Sequence, residues 1–283
     1  MKAVLDNILK QNSLTIHSAE VILDGRLLLH SCYGEDRRYS VYSAAKSVTS
    51  AAFSLACDDG LLSPEEPLYL HLEERYRGLC SEDFKALPFS RFLTMTAGKY
   101  PFRPQGSNWT EYILSLPTDH SDTGFNYSNI PAYLVGEAVE NAVGGDLPGY
   151  LEERLFAPLG IAMPPYQKSP EGHFYGATGM ELTVHELALL GQLYLQKGSF
   201  GGRRIISEKS ISQATSPIAD TGSGDSYGFF FRIAGDHFSM VGKWGQRCMI
   251  YPEKRLVLAY LSHQPDRSEE LYSAMKQFAD SIR

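Results

Sequence analysis

The sequence predicts an α+β fold: one antiparallel β-sheet flanked by the first and last helices of the chain, with an all-helical section inserted between its strands. Three observations predict it. β-type runs stand near both ends of the chain, at Glu20 to Leu23 and Arg26 to Ser31 and again between Gly228 and Ser262. The stretch from Leu61 to about Tyr166 alternates apolar-periodic segments with Gly and Pro breaks and carries no strand pattern. Amphipathic segments open and close the chain, so two N-terminal and three or four C-terminal strands can share one sheet with helices to cover it. The division expected is residues 1–60 with 167–283 as the sheet part and 61–166 as the helical part.

In chain order, Met1 to Lys10 reads as an amphipathic helix, because Asp6 interrupts its apolar run and no small-residue cleavage site follows. Asp24-Gly25 between two β-type runs is a two-residue hairpin signal. Tyr42 to Ala56 is Ala-rich and apolar after a polar start, which predicts a largely buried helix beginning near Ser43 and stopping at Asp59-Gly60. Further helices are expected at Phe89 to Met95, Trp109 to Leu116, Ile130 to Val143 and Leu147 to Phe156. Thr183 with Glu186 three residues on is a capping box opening a helix to Gln196, and Ser207 to Ala214 is a shorter one. Strands are expected at Gly228 to Ile233, His237 to Gly242, Arg247 to Tyr251 and Leu256 to Ser262, then a helix from Arg267 to Ile282.

Composition narrows the function. A chain of 283 residues, 43% hydrophobic, can bury a large core. Its net charge of −7, with Lys and Arg dispersed, argues against nucleic acid or an anionic membrane as partner and for a small molecule. Cys32, Cys57, Cys80 and Cys248 are widely spaced, which suggests neither a zinc ribbon nor a disulfide framework but reduced core residues. No stretch approaches the roughly 18 apolar residues of a membrane span, so the expected location is cytoplasmic.

The chemistry centres on Ser43 and Lys46. A serine at a helix start commonly only caps it. A lysine inside an apolar helix, however, needs a partner or a lowered pKa, and a hydroxyl one turn away from it is an activated nucleophile. Ser273-Ala274-Met275-Lys276 repeats the spacing in an amphipathic helix and reads as solvated surface. Gly224-Asp225-Ser226-Tyr227-Gly228 fits a nucleophile elbow but lacks the strand before and the helix after, and His185-Glu186 has Leu189 where a zinc site needs a second histidine. Better companions are Tyr127 and Asn129, in Phe125-Asn126-Tyr127-Ser128-Asn129, which can shuttle a proton and hold the lysine. The third element, Gly242-Lys243-Trp244-Gly245-Gln246-Arg247, reads as a hairpin turn or as an edge beside the nucleophile that presents a cation and a backbone N–H.

These three elements in this order resemble the Ser-x-x-Lys, Tyr-x-Asn and Lys/His-Thr/Ser-Gly motifs of the serine β-lactamase and penicillin-binding-protein superfamily, in its class C-like esterase branch. Phe92 to Gly98, Leu155 to Ile161, Ala177 to Met180 and Tyr227 to Phe231 also resemble that family. The resemblance implies a β-lactamase/transpeptidase-like fold with the active site between the sheet and helical parts. It implies Ser43 as the acylated nucleophile, Lys46 as its base and Tyr127 as proton shuttle. Asn129 would orient Lys46 and substrate, and the N–H groups of Ser43 and Gln246 would form the oxyanion hole. Lys243, Trp244 and Gly245 would border the substrate; a slip of one residue in that motif would put Arg247 in place of Gln246. No metal or cofactor is implied.

Trp244 departs from the pattern. It replaces a small hydroxyl residue that helps bind a substrate carboxylate, narrowing the site and arguing against β-lactam turnover. The reading is a serine hydrolase cleaving a small ester or amide through an acyl-enzyme on Ser43. The alternatives are a true β-lactamase or D-amino-acid peptidase, and a non-catalytic ligand-binding protein on the same fold. Tyr100, Phe102 and Trp109 are candidates to line an apolar acyl pocket.

Overall fold

The computed structural model of the chain describes residues 1–282. Helix α1 (Lys2–Gln11) leads into the hairpin of β1 (Ser18–Leu23) and β2 (Arg26–Cys32), a short β3 (Tyr39–Ser40), a 3-10 turn at Tyr42–Ala44 and helix α2 (Ala45–Asp58). A helical stretch follows: α3 (Glu74–Arg77), α4 (Glu82–Lys85), α5 (Phe89–Leu93), α6 (Trp109–Leu114), α7 (Ile130–Ala142) and α8 (Leu147–Leu151). Next come β4 (Glu181–Leu182), α9 (Val184–Leu195), the pair β5 (Ser199–Phe200) and β6 (Arg203–Arg204), and α10 (Glu208–Ala214). The chain finishes with β7 (Ala219–Asp220), β8 (Ser226–Tyr227), β9 (Arg232–Ala234), β10 (His237–Gly242), β11 (Gln246–Tyr251), β12 (Leu256–Leu261) and α11 (Ser268–Ser281).

Eight strands form one antiparallel sheet in the order β2-β1-β12-β11-β10-β9-β8-β7. The first hairpin turns through Asp24 (φ 53°) and Gly25 (φ 75°), the left-handed pair that a two-residue turn matched to strand twist requires. β1 then pairs with β12, from Ser18 opposite Leu261 to Leu23 opposite Leu256. Both faces of the central strands are covered, so β11 and β12 are buried end to end and read as apolar runs rather than alternations. Met249, Leu258 and Phe278 pack with Leu5 beneath α1 and α11, while Cys248, Ile250 and Val257 join the larger core under α9 and α2. Gly191 lets α9 sit down on the sheet, since a Cβ there would lie 2.4 Å from Cys248 Sγ. Among the described residues, no helix is long and apolar enough to cross a membrane.

The structure corrects several expectations. The strand predicted from Gly228 to Ile233 is broken: β8 ends at Tyr227 and β9 begins at Arg232. Phe229, Phe230 and Phe231 form a buried loop instead, with Phe230 at φ 59° donating its N–H to Leu93 O at 3.0 Å. Burial of three aromatic rings gave that loop the hydrophobicity of a strand. Cys32 is exposed rather than core, because β2 is an edge strand whose alternate side chains face outward. The segment begun by α8 leaves α-geometry after Leu151 and runs through a π turn at Glu152–Phe156. Ser273 is exposed and Lys276 pairs with Asp280, as a solvated helix face requires.

Candidate active site

Helix α2 is buried from Ala45 to Ala56 and lies between sheet and helices, so its start is fixed by packing on all sides. Its hydroxyls bind neighbouring loops: Ser47 Oγ donates to Phe230 O at 3.0 Å and Thr49 Oγ1 to Gly176 O at 2.7 Å. Ser43 sits in the preceding 3-10 turn, half-buried. The residue before it, Tyr42, holds a left-handed φ of 48°, a conformation an L-residue rarely adopts without surrounding contacts to impose it.

Lys46 is only 1% exposed. Its Nζ lies 2.7 Å from Asn129 Oδ1, 2.9 Å from Ala177 O and 3.1 Å from Ser43 Oγ. Burial pushes the Lys46 pKa down, opposed by the neighbouring Tyr127 phenol. A neutral amine has two N–H groups and one lone pair. Asn129 Oδ1 and Ala177 O can only accept, so in the neutral form they would take the two N–H groups and leave the lone pair to the Ser43 hydroxyl.

The Tyr127 loop is built to hold that arrangement. Asn126 N donates to Met95 O at 2.8 Å, Asn129 N to Phe102 O at 2.8 Å and Ser128 Oγ to Pro101 O at 2.7 Å. Asn129 then opens α7, and its Nδ2 donates to Tyr175 Oη at 3.1 Å, which fixes its oxygen toward Lys46. The Tyr127 ring stands with its centroid 5.0 Å from Lys46 Nζ.

Across the cleft, Lys243, Trp244 and Gly245 form the turn between β10 and β11, where Gly242 pairs with Gln246. The Gln246 side chain closes the turn from behind, with Oε1 accepting from Ser262 N at 3.1 Å. Gly245 has φ 84°, and a Cβ there would meet Ser262 Oγ at 2.4 Å. Lys243 is exposed, its Nζ 4.2 Å from the Trp244 ring centroid. The Trp244 indole is wedged between Tyr42 and His263, with ring centroids at 5.0 and 4.6 Å.

Gly242 carries the approach of this strand to the Ser43 turn: a Cβ on it would lie 2.1 Å from Val41 O. That atom is backbone and cannot swing away. Gly242→Ala is therefore expected to push β10 off the Ser43 turn, costing about 1–3 kcal/mol of stability and about tenfold or more in kcat/KM. Calorimetry beside ester kinetics checks this; an unchanged Tm and rate would show that the strand end has room.

Ser43, Asn129, Tyr127 and the β10–β11 turn all line one cleft of about 760 Å³, within the range of small-molecule sites. Phe102 and Trp109 line it as expected, whereas Tyr100 is 7% exposed and belongs to the core. The sequence reading missed Tyr175, which holds Asn129, and the Ala177 carbonyl, which holds Lys46. A carbonyl has no side-chain signature; only the left-handed Gly176 and Gly179 around it mark an unusual backbone path. Ser226 lies in a two-residue strand with no helix after it, so the elbow geometry is absent there. His185 Nδ1 lies 2.9 Å from the acceptor Glu20 Oε1, on a helix face.

The family model for Beta-lactamase matches residues 5–278. No curated protein matches the chain. Among solved structures, a class C beta-lactamase is 14% identical with a TM-score of 0.80, covering 100% of this chain and 96% of that one. A beta-lactamase/D-alanine carboxypeptidase from Pseudomonas syringae is 13% identical with a TM-score of 0.79, covering 100% and 98%. A penicillin binding protein from Bacillus halodurans is 14% identical with a TM-score of 0.76, covering 97% and 99%.

Proposed function

Because the chain belongs to the beta-lactamase family, we propose that it is a serine hydrolase that cleaves a small ester or amide through an acyl-enzyme on Ser43. The observation that carries this is the buried Lys46, whose Nζ stands 3.1 Å from Ser43 Oγ and is held from its other sides by two acceptors, Asn129 Oδ1 and Ala177 O; once neutral, it has its lone pair free for the hydroxyl. The cleft lies between the sheet part, 1–60 with 167–283, and the helical part, 61–166. Lys46 takes the hydroxyl proton as Ser43 Oγ attacks the substrate carbonyl carbon. The oxyanion that forms is held by the N–H groups of Ser43 and Gln246 at the positive end of α2. Tyr127 passes a proton to the departing alcohol or amine as the C–O or C–N bond breaks. It then takes one from water, whose oxygen attacks the acyl carbon; as the C–Oγ bond breaks, Lys46 returns its proton to Ser43 Oγ and the acid leaves. Trp244 favours esters and amides over β-lactams because its indole fills the place where a hydroxyl would meet a substrate carboxylate. A second reading, turnover of a β-lactam or D-aminoacyl peptide, is favoured by the exposed cation Lys243 on the same cleft.

The test is intact mass after acid quench with p-nitrophenyl butyrate, beside its hydrolysis and that of nitrocefin. Expected is a butyryl adduct on the peptide holding Ser43, with nitrocefin turned over about 100-fold less efficiently. Faster nitrocefin turnover would select the second reading. A folded protein with neither adduct nor turnover would sink both and leave ligand binding.

A further inference from the structure

A second buried cluster lies on the far half of α7, away from the cleft. Glu137 is fully buried, with Oε2 accepting from Thr110 Oγ1 at 2.5 Å and Oε1 left with no hydrogen-bond partner. His173 Nδ1 is engaged by Glu140 Oε2 at 2.9 Å. Its Nε2 is buried 3.2 Å from Glu73 Oε1 but out of line for a hydrogen bond. One donor atom from each of Glu73, Glu137 and His173 lies within 4.8 Å of the others. Glu171 adds a further carboxylate whose Oε2 is also buried without a partner. Against these acids the only guanidinium in contact among the described residues is Arg75, on Glu73 at 2.8 Å.

We propose that Glu73, Glu137 and His173 form a structural site for a divalent transition-metal ion of the zinc class. The donor set is one imidazole nitrogen and two carboxylate oxygens, which suits such an ion. Glu140 plays the part that an outer carboxylate plays in histidine-metal sites: by holding Nδ1 it turns Nε2 inward and fixes the tautomer. Donor atoms about 2.0 Å from a common ion stand roughly 3–4 Å apart, so the three need to close by only about an ångström. The buried, unpartnered Glu137 oxygen would gain the partner it lacks. The ion would tie α7 to Glu73, at the start of α3, and to the 167–176 segment that leads to Tyr175 and Ala177.

The experiment strips the full chain with EDTA and titrates it with Zn²⁺ by calorimetry and with Co²⁺ by visible absorption. Expected are one equivalent of each with a d–d band, a rise in Tm of about 5 °C at saturating Zn²⁺, and loss of all three in Glu137→Gln and His173→Asn. Glu140→Gln should weaken binding about 10- to 100-fold. Cys32→Ser controls for the exposed His30, Cys32 and Asp36 group, which also clusters. Anomalous scattering from wild-type crystals grown with Zn²⁺ locates the ion even where a variant fails to fold. Absence of metal uptake by the folded protein, or uptake lost only in Cys32→Ser, would overturn the proposal.

Discussion

Ser43→Ala is expected to lower kcat/KM for a p-nitrophenyl ester by on the order of 10⁴-fold and to abolish the acyl adduct, while Ser226→Ala leaves both intact. The size follows from what is removed: without the hydroxyl no covalent intermediate forms, and only the oxyanion hole and the cleft remain to assist water. The fold should hold, because the one side-chain bond lost is that to Lys46, which keeps Asn129 and Ala177 as partners. Steady-state kinetics with circular dichroism decides it. Activity that survives the Ser43 change and vanishes with the Ser226 change would move the nucleophile to the short strand β8.

Lys46→Met should reduce kcat by about 10²–10⁴-fold through loss of the base. It also leaves Asn129 Oδ1 and Ala177 O buried without a donor, at about 1–3 kcal/mol each, partly offset because a buried amine is no longer desolvated. In the wild type, the rate should fall on the acid side as Lys46 takes up its proton, with an apparent pKa below the ordinary lysine range. The stability linkage has the same origin. Between the lowered folded pKa and the unfolded value of about 10.4, the unfolded chain binds more protons, so stability rises with pH across that window. Lys46→Met should lack that rise. A pH–rate profile with no acid limb below the lysine range would remove Lys46 as the base.

Much of this was legible because the chemistry rests on side chains at short spacing. Ser43 and Lys46 meet because three residues make about one helical turn, and Asn129 can be read as the lysine's holder from its place two residues after Tyr127. The sheet was underestimated, since β7 and β8 have two residues each and carry no periodicity. The Phe229–Phe231 loop misled because burial, not strand geometry, set its composition. Ala177 and Tyr175 were illegible as site residues: one contributes a backbone carbonyl, and the other reaches Asn129 across 46 positions of sequence.

The pairing of β1 with β12 has a consequence for synthesis. Residues 18–23 find one sheet neighbour close by in β2, but the other only among residues 256–261, so the scaffold under α2 stays open until those residues have left the ribosome. Contacts of such sequence separation slow folding and leave an unpaired strand edge in the growing chain. A nascent chain holding Ser43, Lys46 and Tyr127 is therefore expected to be inert, the three residues brought together only when β12 slots between β1 and β11.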